Sequence, residues 1–431
     1  MGSLRPGLAV RLRSLPPRTG AGCGRRFYAV EPHGYVCLDP TTTLKANHPR
    51  LRELAESPPG RGVMPFRYAL SNGAPLYRRL PTEQEWQKAE RHLGKPGTYG
   101  KLSWGNRGHE RLAEQRPIPP DGPLPPFLAG ETPSASSRRL MKKLAPLGTT
   151  VAYTRAFRHA GRTWLLTPES LIVPADRVRP FRESTFAGIE MTRGMALPLA
   201  WNRGSTAPLY WADSEGHWFE APERWVQRSA VALDPDVEPS DGGGQRYLAT
   251  REQNSGGVRL WVRKDHATVV RVRRPPAAVK PNERWIVVSI TRGTLVAYQG
   301  ERAVFATLIS PGAGGVPVPG KSLVKMSTTP LGVFRMSFKV RSTTMSPEKG
   351  DPQNFWLAEV PYTQYFSMPF ALHTAYWHED FGQPMSAGCI NVSPQDGRWL
   401  FAWTSPTVPT DWSGAAASKQ NGTGTLLVVV R

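Results

Sequence analysis

Between residues 285 and 309 the apolar side chains fall in three short runs, 285–290, 294–298 and 303–309, broken by Arg292-Gly293 and Gln299-Gly300. The runs are β-branched or aromatic, which suits a pleated and half-buried surface, so they predict three consecutive strands joined by tight turns. Residues 331–340 predict another strand, and 425–430 a last and buried one. One helix stands out after residue 392. Ser393 can cap it, Pro394 takes the first helical position and Asp396 favours the positive N-terminal end. Trp399, Leu400 and Trp403 would then dock that helix onto the sheet.

Upstream the pattern is weaker. Residues 27–37 (FYAVEPHGYVC) read as two short strands around Pro32-His33-Gly34, and 82–93 has helical spacing with Trp86, Ala89 and Leu93 on one face. Residues 161–167 (GRTWLLT) echo 244–250 (GQRYLAT), and each is followed by an apolar run and an Asp, Asp176 or Asp265. A repeated aromatic strand, turn and apolar strand predicts small β-barrel modules. The expected organisation is a disordered basic arm (1–26), a small mixed module (27–116), a Pro-rich extended linker (117–137), a repeat-like β region (138–274), a linker (275–282) and a mostly β domain (283–431).

Composition fits a mainly β chain. With 43 Pro and 41 Gly in 431 residues, turns and short strands are favoured over long helices. No run of 18 apolar residues exists to span a membrane as a helix, and the basic start has no apolar stretch that would make a readable leader. Charge changes the picture more. Of the net +21, residues 280–431 carry 13 Lys/Arg against 9 Asp/Glu, which leaves +17 on residues 1–279. Such a surface attracts polyanions: nucleic acid, anionic lipid or envelope polymers. No zinc-finger spacing or helix-turn-helix pattern narrows that to nucleic acid, and a merely solvated Arg-rich surface is the plain alternative.

Three cysteines are present, Cys23, Cys37 and Cys389. Cys23 and Cys37 could pair, which would fit an oxidising compartment, and Cys389 is then the thiol to test for reactivity. It lies in Ser386-Ala387-Gly388-Cys389-Ile390-Asn391, 16 positions after His373. A thiol is a weak nucleophile until an imidazole takes its proton. Gly388 permits a tight turn that can aim the N–H groups of Gly388 and Cys389 at one spot, an oxyanion hole. His378 is the rival base, although its plain reading is a loop histidine beside Trp377. Tyr362, Tyr365 and Phe366 are candidates for a lid over the substrate, with core packing the equal alternative for each. No His/Cys/Asp/Glu cluster has metal-ligand spacing, so neither metal nor cofactor is expected.

The order His373, 12 residues, then Ser-Ala-Gly-Cys-Ile-Asn resembles the signature of the L,D-transpeptidases of the YkuD fold. The run Thr329-Pro330-Leu331-Gly332-Val333-Phe334 resembles the same family's Thr-Pro-x-Gly-x-Phe segment, and the strand runs at 286–289 and 294–298 agree. The resemblance implies a β-sandwich catalytic domain that cross-links peptidoglycan stem peptides in the periplasm or elsewhere in the cell envelope. It gives Cys389 as nucleophile and His373 as base, with the Thr374 carbonyl orienting the imidazole and Ser386 and Asn391 shaping the site. Ala387 stands where the family usually has His, which bears on donor binding rather than on the nucleophile. It implies a 3→3 cross-link through a thioester. The same site would serve hydrolysis or protein–wall anchoring with another acceptor, and a decayed wall-binding scaffold is the non-enzymatic alternative. The upstream modules loosely resemble bacterial SH3-type wall-binding domains.

Overall fold

The computed structural model describes residues 2–431 apart from 99, 103, 130–139, 193–194 and 348–354. Two six-stranded sheets face each other in the C-terminal part. One runs, in order, Gly2–Ser3, Gly414–Ala416, Phe338–Met345, Leu357–Ser367, Phe370–Thr374, Ile390–Val392. The other runs Ile189–Glu190, Arg302–Leu308, Thr294–Gln299, Arg284–Ser289, Leu426–Val430, Gly332–Arg335. Between them Ile286, Val288, Leu295, Leu372, Ile390, Val392, Leu427 and Val429 form a buried core.

The three strands read from 285–309 form the centre of the second sheet, and the last apolar run pairs in parallel with Arg284–Ser289. The expected single strand over 331–340 is instead two. Gly332–Arg335 belongs to one sheet and Phe338–Met345 to the other, with the fully buried Met336 at the crossing. A continuous apolar run cannot by itself reveal that the chain changes sheet, because both sheets bury the same kind of side chain. Pro394–Trp403 is the expected helix, with Ser393 Oγ accepting the N–H of Asp396.

The upstream region differs more from expectation. The arm expected to be disordered is placed against the two C-terminal sheets: Gly2 and Ser3 pair with Ala415 and Gly414, and Arg5 ion-pairs with Glu359 at 2.9 Å. Ile189–Glu190 likewise adds an edge strand beside Arg302–Leu308. Both sheets are therefore completed by strands from outside 283–431, which covers edges that would otherwise present unpaired N–H and C=O groups. The expected 117–137 linker is not a boundary either. Ala74–Tyr77 shares a sheet with Met141–Ala145 and Ile172–Pro174, Ile118 is buried, and Leu124, Phe127 and Leu128 pack on the cluster that holds Tyr77, Phe157 and Trp164. Residues 130–137 of that segment lie outside the described residues. The two echoed segments each become neighbouring antiparallel strands, Arg162–Leu166 with Ile172–Pro174 and Gln245–Gln253 with Arg259–Arg263, in separate five-stranded sheets. One buried cluster joins upstream Phe66, Tyr68, Leu199 and Trp201 to Trp285, Tyr298, Tyr376 and Trp377. Cys23 and Cys37 form a disulfide that closes the hairpin of Phe27–Ala29 and Tyr35–Cys37.

Candidate active site

Phe370–Thr374 and Ile390–Val392 pair in parallel, with Leu372 opposite Ile390 and His373 opposite Asn391. Leu372, Ile390 and Val392 enter the core, so alternation along each strand sends His373, Asn391 and Cys389 to the other face. The sheet thus sets Cys389 and His373 on one face of adjacent strands, two register positions apart. Tyr365, paired with Ala371, shares that face.

His373 is 2% exposed, and its Nδ1 lies 3.1 Å from the Thr374 carbonyl. A carbonyl only accepts, so Nδ1 carries the proton and Nε2 keeps its lone pair. Burial pushes the ring down to about 4, opposed by the bond to Thr374. The half-buried Cys389 is pushed the other way, up to about 11, by burial, with the Ala371 N–H opposing. Thiol and imidazole are both neutral at pH 7.

Gly388 sits at φ +124°, and a Cβ there would meet Phe370 Cε1 at 2.6 Å, so any side chain is excluded by both backbone and packing. Its N–H donates to Ser386 Oγ at 3.0 Å, and Ser386 Oγ donates to the Cys389 carbonyl at 2.5 Å. Here the expected oxyanion hole needs correcting. The Gly388 N–H is already used inside the turn, because a hydroxyl two residues earlier offers it a local acceptor. Ala387 is exposed at the tip of that turn.

Tyr362 is tied to an upstream segment and to the helix. It adopts φ +55°, donates to the Val63 carbonyl at 2.6 Å and packs on Phe401 of the helix. Tyr365 is the tyrosine on the Cys389 face, and the thiol's charge would raise its hydroxyl further beyond what burial does.

Other residues support the site without a local sequence signal. Thr329 Oγ1 accepts the Gly312 N–H at 2.8 Å, while the N–H of Ala313 donates to the Ser386 carbonyl at 2.8 Å. The Thr-Pro-x-Gly segment thereby braces the thiol turn. Gly397 lets the helix approach Thr374, whose Oγ1 lies 2.0 Å from where a Cβ would stand. From upstream, buried His109 packs edge-on to Trp377, the neighbour of His373. Among the described residues no group of three or more His, Cys, Asp or Glu could hold a metal ion.

The L,D-transpeptidase catalytic domain model of the YkuD family matches residues 283–429. Solved structures of L,D-transpeptidases are similar at low identity. That from Xylanimonas cellulosilytica is 21% identical, over 37% of this chain and 65% of that one, with a TM-score of 0.24. That from Stackebrandtia nassauensis is 19% identical, over 37% and 58%, with a TM-score of 0.24. The catalytic domain from Enterococcus faecium is 21% identical, over 35% and 98%, with a TM-score of 0.24. The chain therefore spans less than two thirds of the length of the first two. No curated protein matches it. Residues 283–429, with the parallel strand pair that carries His373 and Asn391, are an L,D-transpeptidase catalytic domain of the YkuD family.

Proposed function

We propose that the protein is a cysteine L,D-transpeptidase that cross-links peptidoglycan stem peptides in the cell envelope. The observation that carries the reading is the His373 tautomer: Nδ1–H is tied to the Thr374 carbonyl, so Nε2 is the free base on the face that bears Cys389. In this reading the Cys389 thiol gives its proton to His373 Nε2 as the sulfur attacks the carbonyl of the third stem residue, a diamino acid, in a tetrapeptide donor. The Cys389 N–H receives the oxyanion in place of the expected pair of donors. His373 then protonates the departing D-Ala amine, leaving a thioester. An amine from a second stem attacks that thioester and closes a 3→3 cross-link. A disulfide between Cys23 and Cys37 supports an oxidising compartment outside the cytoplasm. Incubation with a disaccharide-tetrapeptide should yield cross-linked dimers by mass spectrometry, and Cys389→Ala should yield none. Dimers formed equally by that variant would refute the mechanism.

A further inference from the structure

The loop that joins the His373 strand to the Cys389 turn is gripped from upstream. Arg111 ion-pairs with Asp380, while Arg182 and Arg228 reach the Glu379 carboxylate at 3.0 and 3.7 Å. Arg228 also donates to the Glu379 carbonyl. At the head of this loop His378 is 1% exposed, between the rings of Trp377 and Phe381. Its Nδ1 accepts the Asp380 N–H at 3.2 Å, and its Nε2 lies 3.0 Å from the Asn391 carboxamide.

Those two contacts fix a proton. Burial holds the ring neutral, helped by nearby His109, His373, Arg111 and Arg228, and a neutral imidazole has one N–H. Nδ1 is used as an acceptor, so Nε2 carries the hydrogen and donates it. The Asn391 atom that receives it must be the amide oxygen. That orientation is chosen by the network, since oxygen and nitrogen of an amide are interchangeable by shape. It also gives a partner to Asn391 Oδ1, which in the opposite orientation is a buried oxygen without one. The NH2 group then takes the position in which Oδ1 found no donor, on the face shared with His373 and Cys389.

We propose that His378 is a positioning residue: it fixes the Asn391 carboxamide so that the NH2 group is the free donor beside Cys389, and the upstream arginines hold His378 in place. The role in turnover rests on the acyl-transfer reading above; the proton assignment does not. It follows that the region before residue 283 supports the catalytic site directly.

Long-range proton–nitrogen correlation of the imidazoles in the full chain reads the tautomer. Protonation of His378 on Nε2 is expected, and protonation on Nδ1 would overturn the proposal whatever the enzyme acts on. In turnover, His378→Gln keeps an amide donor near the Nε2 position, and its kcat/KM for carbapenem acylation should stay within about threefold of wild type. His378→Phe should lose about tenfold to a hundredfold. Asn391→Asp can still accept but has no NH2 group, and should match His378→Phe. The double variant should lose no more than either single one, since both remove the same donor. The acid limb of the pH profile should stay in place throughout, because His373 remains the base. Equal losses in Gln and Phe variants with a displaced limb would make His378 the base and sink the idea. A wild-type chain that is never acylated would instead refute the transpeptidase reading, and the tautomer would still decide this one.

Discussion

Burial drives the two side chains proposed to react in opposite directions, Cys389 up to about 11 and His373 down to about 4. The resting pair is then a neutral thiol and a neutral imidazole, and in the proposed mechanism the thiolate forms only as His373 takes the proton. The expected pH profile of acylation rises as His373 loses its own proton, with a midpoint near about 4, and is flat through neutrality. Rates of carbapenem acylation measured from pH 3.5 upward test this, and a limb near the ordinary histidine value of about 6.5 would mean that the ring is not buried in solution. His373→Ala should lower the rate nearly as far as Cys389→Ala does, with the fold intact by circular dichroism. Ala387→His is expected to leave the nucleophile working, since position 387 is exposed and its side chain is not needed for backbone donors. A change in donor preference of about tenfold is expected, about 1.4 kcal/mol, read as kcat/KM for tetrapeptide against pentapeptide. Acylation raised by several orders of magnitude would instead favour the decayed scaffold.

At the scale of elements, the decisive feature is who completes the sheets. Gly2–Ser3 covers the edge of Gly414–Ala416, and Ile189–Glu190 covers that of Arg302–Leu308. Trp399 of the helix donates to Glu190, and Asp396 accepts the Gly188 N–H at 2.7 Å. Expressed alone, residues 283–431 should therefore melt well below the full chain and aggregate, because two strand edges and the Tyr376–Trp377 surface are uncovered. Equal melting temperatures would show that the upstream strands add nothing. The helix is also fixed at its far end. Buried Lys339 donates to the carbonyls of Phe401 and Thr404 at 2.6 and 2.8 Å, satisfying the C-terminal acceptors that a helix leaves open. Lys339→Met should destabilise the chain by about 1–3 kcal/mol in urea titration, as those acceptors lose their partner.

On the scale of the whole molecule, three buried histidines tie stability to pH. His109, His373 and His378 are pushed down by burial, to about 4, about 4 and about 3. Each folded value lies below the unfolded one, so the unfolded chain takes up protons first. Their stabilising contribution is complete above about 6.5 and is lost as pH falls through the folded values. Asp396, pushed up to about 6 by burial, acts in the opposite sense and loses its contribution as pH rises through that value. Glu252, also raised by burial, acts in the same sense as Asp396, and three histidines against these two carboxyls predict a urea midpoint that falls between about pH 6.5 and 4; a flat or rising midpoint would contradict it. Charge acts over a longer range. The excess of +17 before residue 280 is partly spent inward, on Glu359, Glu379 and Asp380. The remainder is proposed to bind anionic envelope polymers. Association with isolated sacculi should weaken steeply with salt, since exposed charges are screened over about 10 Å at 0.1 M, and salt-independent binding would rule that role out.

The sequence by itself determined the features that depend on neighbours along the chain. Short β-branched and aromatic runs and Gly-containing turns made 285–309 three strands, and Ser393, Pro394 and Asp396 made the helix start, because such runs, caps and turns act over a few residues. His373 and Cys389 were legible for a similar reason: they belong to short motifs whose residue types are needed at fixed spacing. Tertiary structure decided whatever depends on a partner distant in sequence. It took the Gly388 N–H for Ser386, turned Tyr362 away to Val63, and put Tyr365 on the thiol face. It split 331–340 between two sheets and drew Gly2–Ser3 to Gly414–Ala416, more than 400 positions away. An unpaired strand edge accepts any strand that folding brings to it, so its partner cannot be read from either strand alone. The same holds for the arginine grip on Glu379 and Asp380: charge composition showed that the arginines were there, and only the fold brought Arg111, Arg182 and Arg228 to the loop between His373 and Cys389.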